Sequence, residues 1–278
     1  MLLSYIQAKQ LLQAKNAGLS SVEISLDLGR SISKIEIRYN KFFFPDKQEL
    51  TEYNIKNVLK KDTNCFLIRN NDIEKIQFFS EKTNRYYKLF PTKSWPTIEI
   101  SGIRMHVVKD MTPKQDTEKK IELISPCIGY VLDTCTGLGY TAIIASETAD
   151  SVFTFEIDEA VIELQKINPW SKELFENEKI HRYEGDTFKE IKMLKSDFFD
   201  RIIHDPPRLS LATLLYSQEF YNELFRVAKQ QGKIYHYTGR PGAKNRNINL
   251  AKNVIKRLSI AGFSGLEEVY NGVTGEKK

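Results

Sequence analysis

The chain has 278 residues, 41% of them hydrophobic, and a formal net charge of +5. No apolar run approaches the roughly 20 residues a membrane-spanning helix needs. The N-terminal stretch Met1 to Ile6 lacks the basic region and small-residue cleavage site of a secretory signal. Cys65, Cys127 and Cys135 have neither a disulfide pattern nor metal-ligand spacing, so a soluble, cytoplasmic protein without a metal centre or a membrane partner is expected.

In chain order, Leu2 to Gly18 has the pattern of an amphipathic helix stopped by glycine. Segments with a period of two follow at Val22–Leu28, Ser33–Arg38, Lys41–Phe44, Cys65–Arg69, Ile73–Phe79 and Arg85–Phe90. Turn pairs such as Asn70-Asn71 separate them, which predicts a small antiparallel sheet of hairpins, with a helix over Glu49–Lys60. The β-branched alternation after Gly18 argues against a helix-turn-helix. This N-terminal α+β domain, residues 1–95, carries no catalytic signature and is expected to position a substrate or partner. Trp95–Gly102 is expected as an edge strand ended by a turn. Pro113 suits the first position of a helix running through Asp116 and Lys119.

From residue 96 onward a second domain is expected, in which strands and helices alternate as in a parallel sheet covered on both faces. Strands are predicted at Tyr130–Asp133, Ser151–Glu156 and Ile180–Tyr183, with helices over Tyr140–Ser146 and through Ile162, Leu164 and Ile167. The first strand ends in Asp133 and runs through Thr134 into the turn Gly137-Leu138-Gly139, the order in which nucleotide-type sites are built at the carboxyl edge of such a sheet. Glu156 lies seventeen residues after Gly139 at the end of the second strand, near the spacing at which a carboxylate accepts both ribose hydroxyls of a nucleoside. Asp186, beside Thr187 at the end of the third strand, is placed for an adenine amino group, with Ile157 or Phe188 as an apolar wall. Each feature alone is commonplace. Their joint placement at three successive strand ends points to a cofactor cradle.

The fourth strand, through Ile202 and Ile203, delivers Asp205-Pro206-Pro207-Arg208 to the same edge. The prolines fix φ, so the Asp205 carboxylate and the Pro206 carbonyl form a rigid pair of acceptors that can orient an amine for attack. A fifth strand, Lys233–Tyr237, precedes a turn-rich loop with Arg240, Lys244 and Arg246. Between Lys233 and Arg257 there are seven basic residues and no acidic one. Beside an active site such a stretch attracts phosphates; as a solvated helix face it does nothing, and charge alone leaves the two balanced. Val254 to Tyr270 is expected as a helix, a glycine turn and a strand.

Asp133 to Gly139, Glu156, Asp186 and Asp205-Pro206-Pro207 together resemble the class I S-adenosylmethionine-dependent methyltransferases. With His236-Tyr237-Thr238-Gly239 and Gly102 to His106, the stretch Asp205 to Ser210 looks like a predicted archaeal methyltransferase family over nearly the whole chain. The resemblance implies a Rossmann-like seven-stranded α/β sheet whose last strand is antiparallel. It implies S-adenosyl-L-methionine as cofactor, with Asp133 and Gly137 at the methionine part, Glu156 at the ribose and Asp186 at the adenine; Thr134, Gly139, Ile157, Thr187 and Asp205 complete the candidate cofactor contacts. It also implies methyl transfer to an exocyclic amine of a base in RNA, foremost ribosomal RNA, catalysed by Asp205, Pro206 and Pro207. Such enzymes have an aromatic residue where this chain has Arg208. Arg208, His236, Tyr237, Arg240, Lys244 and Arg246 are the candidate RNA contacts. Tyr216 is expected in the core and His204 as a packed histidine. Two alternatives stay open. An aminopropyltransferase or other small-amine transferase on the same fold should have an acidic site, against which the basic stretch after Lys233 counts. A non-catalytic RNA-binding protein would have no use for the intact carboxylates.

Overall fold

Strand ends and helix caps set the architecture from local chemistry. The computed structural model describes residues 1–209, 211–239 and 250–278. They form two compact units, Met1–Lys114 with Glu163–Trp170, and Gln115–Ile162 with Ser171–Lys278.

In the first unit Ser4 starts the helix Tyr5–Asn16 through a capping box, its hydroxyl oxygen accepting from the Ile6 N–H while Gln7 reaches back to the Ser4 N–H at 3.0 Å. Leu2 and Leu3 therefore lie outside the expected helix and pair as a short strand with Leu67 and Phe66. Thr51 makes the same kind of cap, so Glu49–Thr51 is a strand and only Glu52–Leu59 is helical. In place of one antiparallel sheet there are three, of three, four and four strands. The segment Ile73–Phe79 is divided at buried Ile76, whose N–H donates to the Cys65 carbonyl and whose carbonyl accepts from the Leu89 N–H. Asp72–Lys75 thus pairs with Phe66–Arg69, and Gln77–Ser80 with Arg85–Phe90. The strand Thr97–Ile100 pairs with Arg85–Phe90, so this unit runs past residue 95 to Lys114.

The second unit is a seven-stranded, mostly parallel α/β sheet of the Rossmann-like methyltransferase type. Its strands are β1 (Tyr130–Asp133), β2 (Ser151–Glu156), β3 (Ile180–Glu184), β4 (Phe199–His204), β5 (Ala228–Tyr237), β6 (Phe263–Val269) and β7 (Gly272–Lys277). Their order across the sheet is β3-β2-β1-β4-β5-β7-β6, with β7 antiparallel to both of its neighbours. Its helices include α1 (Pro113–Glu122), α2 (Tyr140–Ser146), α3 (Glu159–Ile167), α4 (Gln218–Val227) and α5 (Leu250–Ala261). The first and third of these cross into the other unit's residue range.

Alternate strand residues face opposite sides of the sheet. Leu132, Ile202 and Ile234 pack with Phe220 and Leu224 of α4 and with Val254 and Leu258 of α5. Their neighbours Val131, Ile203 and Tyr235 pack with Ile121, Ile124 and the alanines of α2. Both faces are therefore buried, and only the strand ends are available to a ligand. Asp133 is in register with Thr154 on β2 and with Ile203 on β4. Glu156 and Asp205 each lie two residues farther along, on the same carboxyl edge.

Both turn glycines have positive φ, +54° at Gly137 and +81° at Gly139. A Cβ on Gly139 would overlap the side chain of buried Leu174, whereas one on Gly137 would meet nothing within 4 Å. Gly139→Ala should cost the left-handed strain of about 1–2 kcal/mol plus a further ~1–3 kcal/mol of overpacking, and Gly137→Ala only the first. Urea unfolding of the two variants measures the difference; equal losses would mean that Leu174 relaxes freely.

Candidate active site

At the end of β1, Asp133 is fully buried. Its Oδ2 accepts from the Thr154 hydroxyl at 2.9 Å and the Thr141 hydroxyl at 3.2 Å, whereas Oδ1 is buried with no hydrogen-bond partner. An unmet carboxylate oxygen at the edge of a nucleoside-type cradle suits a ligand's ammonium or hydroxyl. Burial pushes this carboxyl up to about 7, and the Asp205 charge adds to the rise against the two hydroxyls. Beyond it, Thr134 is stitched down rather than exposed. Its N–H donates to the Ile203 carbonyl at 3.0 Å, and its hydroxyl meets His204 Nδ1 at 2.7 Å.

Glu156 spans from β2 to the glycine turn. Its carboxylate accepts from the Gly137 N–H and the Asp158 N–H, each at 2.9 Å. Burial pushes this group up to about 7 as well, against those amide bonds. Ile157 beside it is 63% exposed, a free apolar surface at the same edge. Asp186 caps the short helix Thr187–Glu190, accepting from the Phe188 N–H at 3.0 Å, and the buried Thr187 hydroxyl donates to the Thr134 carbonyl at 2.6 Å. The cradle is thus three strand ends tied to one another by side chain to main chain bonds.

Asp205 follows β4 with its side chain 20% exposed, and its Oδ2 accepts from Lys120 Nζ at 2.7 Å. Lys120, 2% exposed on α1, also lies 2.9 Å from Asp116 Oδ2 and 4.6 Å from the centre of the Tyr237 ring. Asp116 is itself buried and accepts at Oδ1 from the Tyr270 hydroxyl at 2.8 Å. Burial alone would push the ammonium down, but Asp205 and Asp116 outweigh it and hold Lys120 well above its ordinary range. Burial raises the Asp205 carboxyl, with Lys120 opposing and Asp116 adding. Of the diproline, Pro206 is buried and Pro207 exposed, and the Pro207 carbonyl accepts from the buried Tyr216 hydroxyl at 3.0 Å.

The histidines belong to the core. His204 has its second nitrogen 2.9 Å from the Leu215 carbonyl. His236, expected at the substrate, is fully buried with Nε2 2.9 Å from the Tyr221 hydroxyl and Nδ1 2.8 Å from the Tyr237 carbonyl. Burial lowers it to about 4. With both nitrogens engaged and no exposed surface, it holds β5 to α4 and has nothing left for a substrate. Tyr237 is at the edge against Lys120, and Arg208 is exposed beyond the diproline. Arg240, Lys244 and Arg246 lie outside the described residues. Asp116, Lys120, Thr141 and Thr154 enter the site without having been singled out; the i, i+4 acid–base pair on α1 was the one sequence signal for them. Among the described residues no cluster of three or more His, Cys, Asp or Glu is arranged to hold a metal ion, and no helix is long and apolar enough to cross a membrane.

Residues 131–264, from Asp133 through Asp205, match the spermine/spermidine synthase domain. The fold is similar to a spermidine synthase in complex with the transition state analogue AdoDATO, with a TM-score of 0.60 at 17% identity over 75% of this chain and 78% of that one. It is also similar to the spermidine synthase of Thermotoga maritima, with a TM-score of 0.56 at 18% identity over 75% and 76%. The domain match overturns the expected S-adenosylmethionine-dependent RNA N-methyltransferase. A nucleoside-type cradle at the strand ends and a rigid pair of acceptors for an amine do not by themselves specify which group is transferred. Over 271 residues the chain is 41% identical to the uncharacterized protein MJ1233 of Methanocaldococcus jannaschii, an alignment covering 96% of this chain and 92% of that one. The chain belongs to the family of MJ1233, and within it the strands from Val131 onward carry the likeness to spermine/spermidine synthases.

Proposed function

We propose that this protein is an aminopropyltransferase, moving the aminopropyl group of decarboxylated S-adenosylmethionine to an aliphatic amine. The observation that carries this is the charge at the sheet edge. Asp133, Glu156, Asp205 and Asp116 converge there, and Lys120 is their one direct ionic partner among the described residues. This excess of acid over base among the described residues favours a donor that ends in an ammonium and an acceptor that is a cation in water. It disfavours the α-carboxylate that S-adenosylmethionine itself carries. Of the basic residues after Lys233 that lie in the described segments, Lys233, Lys252, Lys256 and Arg257 are exposed, and the last three form the solvated side of α5.

The donor's sulfonium makes the adjacent carbon electrophilic. Asp133 Oδ1 would take the donor ammonium, and Glu156 the ribose hydroxyls through its remaining lone pairs. An aliphatic ammonium titrates near 10 and must lose a proton before it can attack. Asp205, raised by burial, is a stronger base than an ordinary carboxylate and accepts that proton. The nitrogen lone pair then forms the new C–N bond as the C–S bond breaks and its electron pair returns to sulfur. The Asp205 carboxylate, fixed by Lys120 on one side and by the diproline on the other, supplies the orientation.

Purified protein mixed with decarboxylated S-adenosylmethionine and a set of di- and polyamines should release methylthioadenosine and a lengthened amine, measured by mass spectrometry. S-adenosylmethionine should give no transfer; a methylated amine in its place would sink the proposal. Asp205→Asn should lower kcat by about 10²–10⁴-fold while donor binding persists. Loss of binding instead would move Asp205 from base to donor ligand.

The raised carboxyls give a second test. Asp133 and Glu156 near 7 are largely protonated at pH 6, and the donor ammonium at Asp133 and the ribose hydroxyls at Glu156 are both bound best by the ionised form. Donor affinity should therefore rise as pH climbs from 6 to 8, with proton release on binding detectable by calorimetry in buffers of different ionisation enthalpy. Asp133→Asn should flatten part of that rise and leave the Glu156 share. The sign reverses for the stability of the free protein: a carboxyl raised on folding stabilises below about pH 4 and loses that contribution as pH passes 7.

A further inference from the structure

The ion triad Asp116–Lys120–Asp205 is not explained by packing alone. A buried ammonium between two carboxylates costs desolvation that a leucine at that position would avoid. It lies on α1, before the residues that match the synthase domain, and it touches the proposed base directly. We propose that Lys120 is a positioning residue for the transfer: its ammonium, anchored by Asp116, clamps Asp205 Oδ2 and keeps that carboxylate ionised, leaving Oδ1 for the acceptor amine.

The geometry fits each part of this role. Asp116 and Lys120 are one helical turn apart on α1, so the ammonium is held from its own backbone. The Tyr270 hydroxyl fixes Asp116 in turn, and Lys119 lies 5.2 Å over the Tyr270 ring. Among the described residues Lys120 is the sole hydrogen-bond donor to Asp205 Oδ2, and the side chain remains 20% exposed. Tyr237 closes over the ammonium and, with Tyr235, gives the β5 side a phenolic lining. From β1 and its turn, Asp133 and Cys135 feel the Asp205 charge. Among the described residues beyond the diproline, Arg208 acts on Tyr237 and the Tyr216 hydroxyl feels the Asp205 charge. Among the described residues Lys120 is thus the one cation in direct contact with the base. The two ends of the triad act on Asp205 with opposite sign, Lys120 favouring its ionised form and Asp116 opposing it.

This role rests on the aminopropyltransferase proposal, so the test reads Asp205 both with and without turnover. Protein labelled with carbon-13 at aspartate carboxyls gives the Asp205 titration directly, assigned by its loss in Asp205→Asn. Lys120→Met should move the Asp205 midpoint up by about 1–3 pH units, and Lys120→Arg should bring most of it back. Asp116→Asn should move it down. The acid limb of kcat/KM for aminopropyl transfer should follow the titration in each variant. An unmoved midpoint in Lys120→Met, or shifts of the same sign in Lys120→Met and Asp116→Asn, would overturn the clamp. Should Lys120→Met fail to fold, Asp116→Asn alone decides, because an unmoved or raised midpoint contradicts the proposal. A midpoint that moves without the acid limb would leave the clamp intact as an ion pair but refute its role in transfer. If the unmodified protein transfers no aminopropyl group to any amine, the functional proposal falls while the titrations still decide whether Lys120 controls Asp205.

Discussion

A buried ammonium needs compensating charge, and in this protein the need is met at the carboxyl edge of the sheet. Lys120 is 2% exposed and lies within 2.9 Å of carboxylate oxygens from both Asp116 and Asp205. Asp116 comes from the helix that precedes β1, and Asp205 from the end of β4. The ion pair therefore ties the segment entering the sheet to the end of its central strand. Removing either carboxylate leaves Lys120 poorly compensated in a low-dielectric site, and removing Lys120 leaves two buried like charges. Both are costlier than keeping the three together.

The rest of the site is built on that edge by register. Asp133 pairs with Thr154 and Ile203, which places Glu156 and Asp205 at equal heights on either side of it. Glu156 reaches back to the Gly137 amide and Thr187 to the Thr134 carbonyl, so the three strand ends form one hydrogen-bonded rim. Side chains tied in this way lose little freedom when a ligand arrives, which is what makes a preorganised site effective.

Most of this framework was legible in the sequence because it is encoded locally. The apolar runs ending at Asp133, Glu156 and Asp205 have the period and length of buried strands, and Gly139 marks the turn that leads into α2. In the N-terminal unit the elements were legible but not their pairing. Ile76 switches the chain from one sheet to another through hydrogen bonds to Cys65 and Leu89, residues distant in sequence, and no local pattern records that. The caps at Ser4 and Thr51 were present as S-x-x-Q and T-x-x-N, yet apolar periodicity carried the expected helices across them. Lys120 was invisible for another reason: its i, i+4 spacing with Asp116 is what any solvated helix shows, and its burial is a tertiary fact.

The functional expectation failed on a question of scale. Seven basic residues between Lys233 and Arg257 give that stretch a positive sign, but charge acts through distance and dielectric, not through sequence neighbourhood. Lys252, Lys256 and Arg257 are exposed on α5, Arg257 also donating to the Tyr216 carbonyl, and water and salt screen charges there. The carboxylates at the strand ends are buried or half-buried, where screening is weaker, and that burial is also what raises Asp133 and Glu156 to about 7. A few groups in a low-dielectric edge thus outweigh a larger number on the surface. The same field bears on the choice of donor: it favours a side chain ending in an ammonium over one that also carries a carboxylate. On the proposed function, the excess of acid over base among the described residues of the sheet edge is the physical reason a cradle of the methyltransferase type would serve aminopropyl rather than methyl transfer.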